Sequence, residues 1–330
     1  MEQAPPPSIR VRVWSFARRL VPWVSLVMGL ASAITMNRRP ERAWMVAAAA
    51  GAGWLALGLF ALLDGRERKQ WITRAAHRST VFATQSLIQL CLFFALPFFA
   101  QAAAVPAHWG FVGVLILASA ITLWNPLYEA VLKQPVSGAA LQAVATFAGL
   151  DCVLPVLGLS NLSSLLVATL ATAAGLPLQA MATASEPERR RRRAIVAPFV
   201  SGAVVAAFMM GGARFVPPAP LKLVEGGIGT RIVERQLMDP TSAFPAPPPE
   251  IICATAIAAP RGLRDRLHHV WRQDGHKRAD LQLEIRGGRE RGFRTWSVRR
   301  SPAPGRWTCS VETESGQLLG RVSVHIGGSK

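Results

Sequence analysis

The chain has 330 residues, 51% of them hydrophobic, and a mean hydropathy of +0.27. Its apolar residues are gathered into long runs instead of being dispersed as in a soluble domain, which excludes a single water-soluble globule. The net charge is +18, split as 19 basic against 8 acidic groups in residues 1–214 and 18 against 11 in residues 215–330; no nucleic-acid-binding motif accompanies it, so no nucleic-acid partner is expected.

In chain order, residues 1–19 form a basic N-terminus with Arg10, Arg12, Arg18 and Arg19. Apolar runs then occupy residues 20–36, 43–63, 81–102, 111–128, 139–157, 162–178 and 194–213. A helix rises 1.5 Å per residue, so runs of about 20 residues match a hydrocarbon core of about 30 Å. The reading is a helical transmembrane domain over residues 20–213 with about seven spans. Residues 20–36 resemble a signal peptide, but no small-residue cleavage site followed by a soluble region comes after them, so they read as a retained helix. Lying in the interface instead, that helix would leave six spans. Residues 189–193 are five consecutive arginines. Basic loops stay on the cytoplasmic side. With seven spans and a cytoplasmic N-terminus, the inside segments hold 15 basic groups and the outside loops 3. The tail is therefore expected outside, and in a Gram-negative cell that means the periplasm.

Residues 214–249 read as a Pro- and Gly-rich linker with Pro217, Pro218 and Pro220 at its start; within it residues 221–238, with Gly226, Gly227 and Gly229, read as a short irregular or β segment. From Ile251 the apolar period becomes two, the signature of strands. Ile251, Cys253, Thr255 and Ile257 alternate, as do Leu281, Leu283 and Ile285, and Trp307, Cys309 and Val311. Asp274-Gly275 is a hairpin signal. Six or so short strands separated by turns predict a small antiparallel sandwich over residues 250–330. The fold class is thus a membrane all-α helical bundle followed by a small all-β, immunoglobulin-like domain.

His269-Val270-Trp271-Arg272, Gly292-Phe293-Arg294-Thr295-Trp296-Ser297, Gly305-Arg306-Trp307 and Gly316-Gln317-Leu318-Leu319-Gly320-Arg321 resemble the HxW, GxRTWS and GxW motifs of an uncharacterised bacterial C-terminal domain family of unknown function. The resemblance covers about residues 250–327 and implies an envelope location. It brings no activity, cofactor or catalytic residue.

Several residues stand out. Asp151 sits mid-span, where an ionisable group costs at least about 2.5–3.5 kcal/mol to insert and so faces a partner or a water-filled path. Gln85, Gln89 and Gln142 are polar groups inside spans; Gln85 and Gln89 share a helical face, and interhelical hydrogen bonding is their default role. Trp271, Trp296 and Trp307, with Arg272, Arg294 and Arg306, form either a glycan platform or, for the rings, a sandwich core. Cys253 and Cys309 fall on inward positions and are candidates for a disulfide, against two buried free thiols. His268 and His269 are adjacent, so a strand turns them to opposite faces, and His276 and His325 lack ligand spacing; no metal site is expected. GxSxG, HExxH and Walker signatures are absent, so neither a catalytic set nor a cofactor is expected. The expectation is an inner-membrane protein, with the bilayer as its first partner, presenting a periplasmic module that binds a protein or a glycan. The alternative is a transporter or channel built around Asp151 and the span glutamines.

Overall fold

A computed structural model describes residues 27, 44–64, 71–182, 187–289 and 291–328. The expected first span lies outside the described residues. The described helices are α1 (Trp44–Asp64), α2 (Trp71–Ala102), α3 (His108–Leu123), α4 (Asn125–Lys133), α5 (Pro135–Val156), α6 (Asn161–Ala182) and α7 (Pro187–Ala207). Ten strands follow among the described residues, β1 (Lys222–Gly229), β2 (Arg231–Val233), β3 (Gln236–Met238), β4 (Ala243–Phe244), β5 (Glu250–Ala258), β6 (Arg264–Gln273), β7 (His276–Arg286), β8 (Phe293–Arg300), β9 (Gly305–Thr313) and β10 (Leu318–Ile326). The chain divides into two compact units. One holds residues 1–95, 115–149 and 172–201; the other holds 96–114, 150–171 and 202–330.

Among the described residues, three helices are long and apolar enough to cross a membrane: Thr80–Ala102, Val136–Val156 and Val196–Phe215. The expected fourth span is broken. α3 and α4 meet at 106°, and counting this bent pair as one span gives four. The break has a local cause. Pro126 is the second residue of α4, and Trp124, the N-cap of that helix, is extended at φ −105°, ψ 97°. Proline cannot donate to the carbonyl four residues back, so the helical hydrogen-bond ladder is interrupted there. The carbonyl deprived of its donor is that of Thr122. Gln85 Nε2 donates to it at 2.7 Å and Gln89 Nε2 at 2.9 Å, and Gln85 Nε2 also reaches Asn125 Oδ1 at 2.8 Å. The two glutamines of α2 therefore satisfy a proline break in the neighbouring helix. The expected sixth span lies on α6, which is 22 residues long, and its described apolar stretch is Asn161–Pro177.

Within the same unit, α1 approaches its neighbours through small residues. A Cβ on Gly53 would overlap the Gln142 amide, and one on Gly175 would overlap the Trp54 indole. Gln142 Nε2 in turn donates to Thr146 Oγ1 at 3.0 Å.

The other unit carries the strands. β1, β5 and β8 form one antiparallel sheet; β4, β10, β9, β6 and β7 form a second; β2 and β3 form a separate ribbon. Of the two readings of residues 221–238 the structure has the β one, and the strands belong to the sheets of the β domain. β1 pairs with β5 along its length, from Lys222↔Ala258 to Gly229↔Ile252, and β4 pairs with β10. Glycines weakened the strand signal of β1, yet they are required there: a Cβ on Gly229 would meet the Met238 carbonyl at 2.8 Å. The β6–β7 hairpin turns at Asp274-Gly275 with φ of 49° and 85°, as its dipeptide predicts.

Two apolar clusters fill the space between the sheets. One gathers Ile228, Ile251, Trp271, Trp307, Val324 and Ile326 around Cys253 and Cys309; the other gathers Leu221, Ile257, Leu263, Leu267, Val311 and Leu319. Cys253 on β5 and Cys309 on β9 are joined in a disulfide across the two sheets, with Cα atoms 6.5 Å apart. The rings of Trp271 and Trp307 pack edge to face beside it at 6.2 Å.

Candidate functional site

A polar layer lies between the two apolar clusters. On β6, His269 falls between inward-facing Leu267 and Trp271; on β5, Thr255 falls between Cys253 and Ile257. His269 is fully buried. Its Nε2 lies 3.0 Å from Thr255 Oγ1 and its Nδ1 lies 2.8 Å from Ser297 Oγ, which also accepts the Trp271 Nε1–H at 3.0 Å. Burial without a charged partner lowers the imidazole to about 4. This Ser–His contact was invisible in the sequence, because its members lie 28 residues apart on strands of different sheets. It has the spacing of a nucleophile and base but not their setting. A base at about 4 is poorly matched to neutral pH. The second nitrogen faces a hydroxyl and not a carboxylate, and both sheets cover the pair. Cys253, His269 and Cys309 also bring three donor atoms within 4.8 Å of one another. Metal ligation requires thiolates, and here the disulfide consumes both sulfurs. The layer is a satisfied structural network, and it accounts for the HxW and TWS positions together.

The sequence-predicted residues do not converge on one surface. Trp271 and Trp307 belong to the core, 0% and 2% exposed, so a three-ring platform does not exist. Arg272 is engaged with Glu312 at 2.9 Å and Ser310 at 3.1 Å. Arg306 is exposed on β9, in the other sheet from Arg294. Trp296 and Arg294 remain. They lie on the outer face of the three-stranded sheet, and Trp296 is 40% exposed. Cross-strand register sets Trp296 beside Ala254 and Ala254 beside Gly227, so the ring stands at the end of a row with almost no side chains. The result is a groove of about 80 Å³ with Trp296 on one side, Leu237 and Pro240 on the other, and Arg235, Arg294 and Glu225 also lining it. The sequence signal that marks this groove is the glycine run of β1.

His268, on the opposite face of β6 from His269, contacts Asp280 Oδ1 at 2.6 Å, and Lys277 Nζ reaches Asp280 Oδ2 at 2.8 Å. The Lys277 hydrogen bond, followed by the His268 contact, holds the Asp280 carboxyl below its usual range against some desolvation. Asp151 is fully buried on α5, and among the described residues neither carboxylate oxygen has a hydrogen-bond partner.

The fold and its sites thus define a helical region followed by a two-sheet β domain with an inter-sheet disulfide. The sequence profile of a family of unknown function (DUF5924) matches residues 8–245, and the chain belongs to that family. A second profile, of a protein family of unknown function (DUF2914), matches residues 264–326. No curated protein matches. The first match ends after β4, so the three-stranded sheet draws β1 from one matched region and β8 from the other.

Proposed function

We propose that this is an integral inner-membrane protein whose β domain stands in the periplasm and binds an envelope protein or glycan in the Trp296 groove. The observation that carries the membrane half is α7 with its continuation. Over Val196–Phe215 only 11% of the most apolar window is buried, and Phe199 and Met210 are 77% and 82% exposed. An apolar helix left bare in this way is stable in lipid and costly in water. Trp109 and Trp124, at the two ends of α3, are both exposed, as in the aromatic belts of membrane helices. The binding half rests on the exposed ring beside a floor of Gly227 and Ala254, the arrangement on which a sugar ring or a proline stacks, with Arg294 and Arg235 as hydrogen-bond donors. The disulfide supports an oxidising compartment.

Two experiments test the reading. Alkaline phosphatase fused after Gly328 is expected to be active; an inactive fusion together with a fluorescent cytoplasmic reporter refutes the periplasmic placement. A photo-crosslinking residue at Leu237 is expected to capture one envelope component in intact cells. Trp296→Ala should abolish that capture, and capture that ignores Trp296 refutes the groove.

A second reading, a transporter or channel, is favoured by one observation, the unpartnered buried carboxylate of Asp151. Gln85 and Gln89 no longer support it, since their amide donors are committed to the Pro126 break. Unchanged growth and solute uptake in Asp151→Asn would remove it.

A further inference from the structure

The unit that carries the β domain contains a second, larger concavity. A cleft of about 520 Å³ lies between the start of α6 and the β6–β7 pair, lined by Ser160, Leu162, Ser163, Arg264, Arg286 and Glu284 among others. Its wall is held in place by Asp265 of β6. Asp265 Oδ2 accepts the Asn161 N–H at 2.8 Å, and Oδ1 accepts the Arg266 N–H at 2.8 Å. Desolvation raises the Asp265 carboxyl above its usual range despite these two bonds.

The cleft is lined by three arginines, Arg264, Arg266 and Arg286, and three carboxylates, Asp265, Glu284 and Glu314, but they are not evenly paired. Arg266 has two acidic neighbours, Glu314 at 3.9 Å and Glu284 directly across the strand pair. Arg264 and Arg286 are directly opposite one another in the same pair, and among the described residues neither has an acidic partner. Like charges facing each other across a ladder destabilise it unless something neutralises them. Beside them Ser160 Oγ–H donates to Ser163 Oγ at 2.9 Å, which leaves the Ser163 hydroxyl proton for another acceptor. Two guanidinium forks and a hydroxyl proton lining one cavity suit a phosphate.

The helix beside the cleft says where that phosphate comes from. Leu162 lines the cavity, and Leu166 and Leu170 follow at successive four-residue steps on the same face of α6. Leu166, Val167 and Leu170 are 38%, 42% and 56% exposed. An apolar strip thus runs from the cleft along the helix.

We propose that this cleft binds the phosphate of a glycerophospholipid, with Arg264 and Arg286 as the clamp and an acyl chain along Leu166, Val167 and Leu170. The lipid would tie the β domain to the bilayer surface. This rests on the membrane reading above, so the test separates the two. The full chain in uncharged detergent is titrated with phosphatidylglycerol, and binding is read by native mass spectrometry. Diacylglycerol of the same chain length, which lacks the phosphate, is expected to bind far more weakly. The double variant Arg264→Gln/Arg286→Gln should bind phosphatidylglycerol at least about tenfold more weakly, as expected for losing charge-assisted hydrogen bonds. Arg264→Lys/Arg286→Lys should retain part of the binding, and Arg278→Gln, elsewhere on β7, should retain all of it. Circular dichroism and an intact disulfide establish that each variant is folded. Equal binding of the two lipids, or undiminished binding by the double glutamine variant, overturns the clamp. Displacement of the lipid by millimolar glycerol phosphate overturns the lipid as occupant in favour of a soluble phosphate. Release of the chain from membranes by alkaline carbonate is a separate result and counts against the membrane reading alone.

Discussion

His269 offers the most direct test of how the β domain is held together. It is fully buried among Thr255, Ser297, Trp271 and the disulfide, with no charge to compensate an imidazolium. Its folded-state value of about 4 lies below the ordinary imidazole value of 6.5. Below pH 6.5 the unfolded chain binds a proton that the folded chain refuses, so stability is fully present above that pH and is lost as pH falls from 6.5 towards 4. At 1.36 kcal/mol per pH unit the loss amounts to about 3 kcal/mol across the window. The assay is backbone hydrogen exchange of β6 and β9 amides in the full chain, corrected for intrinsic rates, at pH 7, 6, 5 and 4. His269→Gln keeps hydrogen-bonding groups near the hydroxyls but cannot titrate. It should start less stable at pH 7 and lose about 3 kcal/mol less than the wild type on acidification. Asp280, with its depressed value, also loses stability as pH falls, and Asp265, with its raised value, gains it; both are common to the two proteins and cancel in the difference. Identical pH profiles for wild type and variant would refute the reasoning.

Other outcomes follow from the packing. Gln85→Leu and Gln89→Leu should each be mild alone, because either amide can serve the Thr122 carbonyl, while the double variant should cost about 1–3 kcal/mol for an unsatisfied buried acceptor; thermal unfolding in detergent measures it, and additive single losses would contradict the shared role. Replacing both Cys253 and Cys309 by Ala should lower β-domain stability by up to about 4 kcal/mol, since the bond spans 56 residues; urea unfolding followed by Trp271 and Trp307 fluorescence reads it. Gly175→Ala should cost about 1–3 kcal/mol by driving a methyl into the Trp54 ring. Gly51→Ala, which has nothing within 4 Å, should be neutral or stabilising by up to about 1 kcal/mol through helix propensity.

Periodicity alone located the apolar runs that form the described helices and the strands β5 to β10, because both signals are local: a run of uncharged residues, and alternation across a pleat. It also assigned Asp274-Gly275 to a hairpin, since only a few dipeptides accept two positive φ values. Residues whose partners are remote in sequence needed the tertiary structure. Pro126 looked like an ordinary residue in an apolar run until the break showed that Gln85 and Gln89, 41 and 37 residues earlier, were answering it. β1 read as an irregular or β segment within a linker because its glycines suppress alternation, while pairing with β5 makes it one edge of a sheet. Three tryptophans at similar strand positions were equivalent in the sequence; the facing of two sheets buried Trp271 and Trp307 and left only Trp296 outside. Burial, like the meeting of His269 with Ser297 or of Arg264 with Arg286, is a property of which strands pair and which faces oppose. No local pattern encodes that choice, which depends on contacts between segments far apart in the chain.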